Sequence, residues 1–90
     1  MAFFQHSKDP NAILDYSIDW SLWLDGDTID TSVWTVAAGI TNAADSSTTT
    51  TATIWLSGGT AGTSYTVSNR ITTADGRTED RSMTISVVAR

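Results

Sequence analysis

The chain has 90 residues, no cysteine and a formal net charge of −5 at pH 7. This length supports one small hydrophobic core, and the lack of cysteine excludes disulfides and cysteine-ligated metals. An acidic chain is a poor ligand for a phosphate backbone, so we expect no nucleic-acid partner. The sequence holds neither a spanning apolar run nor a signal-peptide pattern, so we expect no membrane association and folding in a reducing cytoplasm.

The first nine residues, MAFFQHSKD, are predicted to form an N-terminal arm, and residues 10–90 a single domain. Phe3 and Phe4 precede the first periodic strand. They either fold back onto the core or form an apolar peg that inserts into a neighbouring protein. His6 is the single histidine, so the sequence predicts neither a Ser-His-Asp triad nor a zinc site.

The next segment, residues 15–30 (DYSIDWSLWLDGDTID), contains five Asp and two Trp. It opens with a strand in which apolar and polar residues alternate. Trp20 and Trp23 then lie at helical spacing and predict a short helical turn near residues 19–24, with Asp19 as its N-cap. We expect the two Trp to close one end of the core, because a buried aromatic side chain covers about 150–250 Å².

The density of Asp in this segment also suggests a calcium site. Asp25, Asp27 and Asp30 could supply oxygen ligands, but the spacing DGDTID does not match that of a calcium-binding loop. Asp side chains also cap helices and shape turns. We favour the second interpretation, and we expect no cofactor.

Strands are predicted along the rest of the chain, where Ser and Thr supply 27 of the 90 residues. A bulge near residues 30–32 is needed to keep DTIDTSVWTV in phase as a strand. ITNAADSS is predicted to form a weak strand or an edge segment, followed by a loop. In the following strand we expect Ile54 and Leu56 to point inward and Trp55 to point outward.

The C-terminal part predicts a hairpin of two half-buried strands. In the first strand one face carries Tyr65, Val67, Asn69 and Ile71, and in the second strand one face carries Met83, Ile85 and Val87. Asp75-Gly76 between them indicates a primed turn. Tyr65 follows a glycine-containing loop, as in the tyrosine corner of immunoglobulin-like sandwiches.

Two surface hypotheses remain open at this point. Four Trp could form a sugar-binding platform, with Trp55 as the one expected on the surface; the candidates are Trp20, Trp23, Trp34 and Trp55. Four Arg could form a basic stripe, although solvated strand faces are the simpler interpretation; these are Arg70, Arg77, Arg81 and Arg90.

Several motifs resemble those of a group of small bacteriophage and prophage virion proteins, which are often described as fibre-tail adaptors. The motifs are K-D-P, L-D-Y, D-W, W-L and G-D-T-I, then W-L-S-G-G-T-A-G-T-x-Y and T-T-x-D-G-R-T. The resemblance runs from Lys8 to Val88. It implies an all-β fold, an immunoglobulin-like or fibronectin-III-like β-sandwich of six to seven strands, which agrees with the strands predicted above.

The resemblance also implies a function without catalysis. The expected role is that of a virion structural protein that joins tail or tail-fibre components, is made in the host bacterial cytoplasm and is present in multiple copies in a symmetric assembly. Its partners would be tail, fibre, portal or capsid proteins, and its candidate contact residues are Phe3, Phe4 and Trp55. The alternatives are a capsid decoration protein and, from another class, a carbohydrate-binding module for host adsorption.

Overall fold

A computed structural model describes residues 3–88 of the chain, with side chains from residue 6 onward. This part of the chain contains seven strands and one short helix. The elements are β1 (Phe3–Lys8), β2 (Leu14–Asp19), α1 (Ser21–Leu24), β3 (Ile29–Val36), β4 (Ile40–Ser47), β5 (Thr51–Gly58), β6 (Ser64–Thr73) and β7 (Thr78–Val87). No helix among the described residues is long and apolar enough to cross a membrane.

The strands form two sheets, with the orders β1-β7-β6-β3 and β2-β5-β4. Neighbouring strands are antiparallel except for β1, which runs parallel to β7. The two sheets share their core side chains, which confirms the predicted all-β, immunoglobulin-like sandwich. Residues 3–8 of the predicted N-terminal arm therefore form an edge strand of the larger sheet.

The core comes from the alternating faces that the sequence predicts. Inward-facing residues of β5, β6 and β7 are buried, and the exposed residues lie between them. The buried apolar side chains are Tyr16, Ile18, Trp20, Leu24, Ile29, Ile40, Ala52, Ile54, Leu56, Tyr65, Val67, Ile71, Met83, Ile85 and Val87. Trp55 points outward, as predicted, and the ladder between β3 and β6 shifts register between Ile29 and Thr31, which confirms the bulge.

Two local details differ from the predictions. The helix N-cap is Trp20, not Asp19, although the Asp19 carboxylate still accepts the Ser21 N–H at 2.9 Å. The β6–β7 hairpin forms, but its turn is not a primed two-residue turn, because only Gly76 has positive φ (+87°). Gly76 N–H donates to Thr73 O, as in a three-residue loop that ends on a left-handed glycine.

The tyrosine corner is confirmed at the start of β6. The Tyr65 hydroxyl accepts the backbone N–H of Thr60 at 2.9 Å, which fixes the loop between β5 and β6. Gly59 is required in that loop, because its φ is +96° and an added Cβ would lie 2.7 Å from a methyl group of Val87.

Three loops meet at one end of the sandwich. Trp20 N–H donates to Thr50 O, and Ala74 N–H donates to Thr28 O, so the α1 loop is joined both to the β4–β5 turn and to the β6–β7 turn. We call this region, residues 19–30, 48–50 and 73–79, the α1 end.

Candidate functional site

The Trp pair of residues 15–30 closes the core at the α1 end. Trp20 is fully buried, and its indole Nε1 donates to Asn69 Oδ1 at 3.0 Å. The Asn69 amide in turn donates to Ser32 Oγ at 2.8 Å and to Val33 O at 3.3 Å. One buried amide thus links α1 to β3 and β6, as a satisfied polar network in a core should.

Two arginines cover the outer side of the Trp pair. The Arg81 guanidinium lies 4.3 Å from the centroid of the Trp20 ring, and that of Arg77 lies 4.4 Å from the centroid of the Trp23 ring. Both geometries are suited to cation–π attraction. Arg77 also donates to Leu24 O at 2.7 Å, and Arg81 donates to Asp19 O at 3.3 Å.

These contacts replace the basic stripe that the sequence suggested. Arg77 and Arg81 bind the α1 loop, and Arg70 forms a two-point ion pair with Asp80 across β6 and β7. Arg90 lies outside the described residues. The described arginines therefore serve contacts within the fold.

Asp27 joins the α1 loop to the β6–β7 turn. Its carboxylate accepts the N–H groups of Thr28 and Asp75 and the Arg77 guanidinium. The Thr73 hydroxyl, followed by these donors, lowers the pKa of Asp27 below its ordinary value. Hydrogen bonds from Ser21 likewise lower the pKa of Asp19.

The calcium site is not assembled. Among the residues with described side chains, no three His, Cys, Asp or Glu lie where they could hold one metal ion. Of the three candidate ligands, Asp27 already accepts the hydrogen bonds described above, whereas Asp25 is exposed after α1 and Asp30 is exposed at the start of β3. Of the Asp side chains in this segment, those of Asp19 and Asp27 make loop contacts.

The four Trp do not form a common platform. Trp20 is buried, and Trp23 and Trp34 are half-buried against the core. Trp55 is 42% exposed on the outer face of the β2-β5-β4 sheet, where it pairs with Asp15 on one side and Ala44 on the other. At this position the structure offers a sheet face that carries one exposed Trp.

The N-terminal segment is anchored at its C-terminal end. Lys8 is fully buried, and its ammonium group donates to the backbone oxygens of Asp9 and Gly58, both at 2.8 Å. The His6 ring packs on Tyr16 with 5.1 Å between centroids. Phe3 and Phe4 occupy register positions opposite Ser82 and Met83, and their side chains lie outside the described ones.

A shallow groove lies on the outer face of the larger sheet, and one of its lining residues, Ser82, is the register partner of Phe3. Its volume is about 330 Å³, and its lining residues are Val33, Thr35, Ser68, Arg70, Asp80 and Ser82. The ion pair neutralises its charged side chains, and the remainder is mainly hydroxyl groups.

Sequence reasoning did not single out two residues: Asn69, which is a buried polar link, and Leu22, which is an exposed apolar side chain. Asn69 lies between the apolar residues Val67 and Ile71 on the inward face of β6, and this placement is the signal that could have identified it as a buried polar link. Leu22 stands opposite the inward face of α1 and is 96% exposed. In the sequence, Leu22 lies among the apolar residues Trp20, Trp23 and Leu24. Only its position around the helical turn shows that it points away from the core while these neighbours point towards it.

The chain matches one family of known proteins over most of its length. No curated protein matches the chain. A family model, described as podophage GP4 fiber-tail adaptor protein gp77, matches residues 8–86. The matched range begins at the buried Lys8 and includes the α1 end, the tyrosine corner and most of the final hairpin. The chain therefore belongs to the podophage GP4 fiber-tail adaptor protein gp77 family.

Proposed function

We propose that this chain is a non-enzymatic virion structural protein that joins tail or tail-fibre components of a phage through protein–protein contacts. The family match over residues 8–86 carries the proposal. The fold supports it, because a small sandwich offers outer sheet faces and strand edges as contact surfaces. The protein is made in the bacterial cytoplasm and functions in the virion.

The β1 edge is the first contact surface of the proposal. Among the described strands, β1 pairs only with β7, so its other edge has no strand partner there and could pair with a strand from another protein. Phe3 and Phe4 belong to this strand, and their apolar side chains would add contact area to the backbone pairing. Lys8 fixes the strand at its far end through its bonds to Asp9 and Gly58.

Trp55 is the centre of the second contact surface. It lies on the middle strand of its sheet, and polar or small residues surround it. An exposed Trp on a sheet face has the properties of an interface hot spot, because it buries a large area at low entropic cost.

Copy number in the virion tests the proposal against the capsid-decoration alternative. Quantitative mass spectrometry of purified particles, with the major capsid protein as internal standard, gives the number of chains per particle. A number that matches the low symmetry of the tail or portal supports the adaptor. A number near that of the capsid protein supports decoration, and absence from particles contradicts both roles.

Deletion of residues 1–7 tests the β1 contact in the same particles. We expect the shortened chain to be lost from particles if β1 contributes to the interface. Far-ultraviolet circular dichroism of the purified chain must first show that the sandwich still folds, since β1 is part of the larger sheet. A folded, shortened chain at the normal copy number would contradict the β1 contact.

A further inference from the structure

Leu22 is the most exposed large apolar side chain in the described part of the molecule. It is 96% exposed, whereas Val33 is 58% and Trp55 42% exposed. Its apolar neighbours in α1 face the core: Leu24 is buried, and Trp23 packs against the core. Leu22 is thus an apolar side chain that α1 presents to solvent.

The support beneath Leu22 is held on several sides. The α1 turn is tied through Trp20 to the β4–β5 turn and to Asn69. At its two ends, Arg81 donates to Asp19 O and Arg77 to Leu24 O. Because the backbone of α1 is already fixed, little conformational entropy is lost when Leu22 binds. More of the free energy gained by burying its side chain therefore contributes to affinity.

The charge around Leu22 is strongly negative. The α1 end carries six carboxylates. Two cations lie there: Arg77, and the guanidinium of Arg81, which extends from β7 over the Trp20 ring. The net charge of this end is therefore −4, out of −5 for the whole chain. The six are Asp19, Asp25, Asp27, Asp30, Asp75 and Glu79. Both arginines are engaged over Trp rings and backbone oxygens. Among the described side chains, the exposed carboxylates of Asp25, Asp30 and Asp75 take part in no ion pair.

We propose that the α1 end is a separate docking surface, on which Leu22 enters an apolar pocket of a partner protein whose rim carries Lys and Arg. The inference rests on the proposed function, because an adaptor must hold two partners at once. The α1 end is separate from Trp55, which lies about 13 Å along β5 from Thr51. Charge complementarity selects a basic rim, and the acidic end would repel an acidic one.

Binding of the purified full-length chain to phage particles tests this inference. The probe is particles grown from a mutant phage that does not make this protein, and bound chain is measured after sedimentation. The variants are Leu22→Ser, the charge variant Asp25→Asn/Asp75→Asn, and Val33→Ser as a matched control. Val33 is also an exposed apolar residue, but it lies on the outer face of β3. Thermal unfolding confirms that each variant is folded.

We expect Leu22→Ser to bind about tenfold or more weakly, as loss of a hot-spot side chain does, and Val33→Ser to bind as the wild type does. The charge variant should bind a few-fold more weakly at about 0.1 M NaCl and show less loss at about 1 M, where the Debye length falls from about 10 Å to 3 Å. Equal binding of wild type and Leu22→Ser, or unchanged salt dependence of the charge variant, would overturn the α1 docking surface alone. Failure of the wild type to bind would contradict the adaptor role as well.

Discussion

The bond between Trp20 and Asn69 leads to a quantitative prediction about the core. Both side chains are fully buried, and Asn69 also donates to Ser32 and Val33. Asn69→Leu keeps the approximate volume but leaves the indole N–H without an acceptor, which costs about 1–3 kcal/mol. With the other lost bonds, we expect the free energy of unfolding to fall by about 2–3 kcal/mol and Tm by about 10–20 °C.

A double-mutant cycle separates this bond from general packing. Trp20→Phe removes the donor and part of the ring, and we expect it to cost about 2–3 kcal/mol. In Trp20→Phe/Asn69→Leu both the indole N–H donor and its amide acceptor are absent, so neither is left buried without the other. The double variant should therefore lose about 1–2 kcal/mol less than the sum of the two single variants.

Urea unfolding followed by far-ultraviolet circular dichroism measures all three variants with one signal that does not depend on Trp20. Thr66→Val, on the exposed face of the same strand as Asn69, is the control and should change stability by less than about 0.5 kcal/mol. Additive losses within about 0.5 kcal/mol, or wild-type stability of Asn69→Leu, would refute the role assigned to the buried amide.

Three further predictions concern the loops. The folded-state pKa of Asp27 lies below its unfolded value, so its contribution to stability is present above about pH 4 and is lost as pH falls through the folded pKa. Asp27→Asn should therefore weaken the dependence of stability on pH in urea titrations between neutral pH and pH 3. An unchanged dependence would contradict the role given to the Asp27 carboxylate. Tyr65→Phe removes the acceptor of the Thr60 N–H and should cost about 1–2 kcal/mol in the same assay, whereas no loss would argue against the tyrosine corner. Gly59→Ala should lower Tm more than Gly62→Ala, because both have positive φ but only the first brings Cβ within 2.7 Å of a β7 methyl; equal losses would point to backbone strain alone.

The strands that sequence could predict are those with strict alternation and a buried face. β5, β6 and β7 follow a period of two, and their inward residues are buried as expected. The helical turn was predictable from the spacing of Trp20 and Trp23. In each case the local pattern and the tertiary environment impose the same requirement, so reasoning from one sequence was sufficient.

The features that sequence could not predict depend on contacts between distant segments. β1 has no clear period, and its strand state comes from pairing with β7. Arg77 and Arg81 appear as solvated strand residues until the α1 loop is placed against them. In the turn at Asp75-Gly76, the Asp75 N–H donates to the carboxylate of Asp27, which lies 48 positions earlier in the chain. Among the features of the proposed contact surfaces, only the outward direction of Trp55 could be predicted from the alternation of residues along its strand.

The pairing of β1 with β7 sets the order in which this protein can fold. Phe3 pairs with Ser82, 79 positions later in the chain, so β1 cannot pair with β7 until β7 has left the ribosome. Contacts of such long sequence separation form slowly, because loop closure must precede them. During synthesis the β1 segment therefore lacks its sheet partner, and the larger sheet is completed only after translation has passed β7.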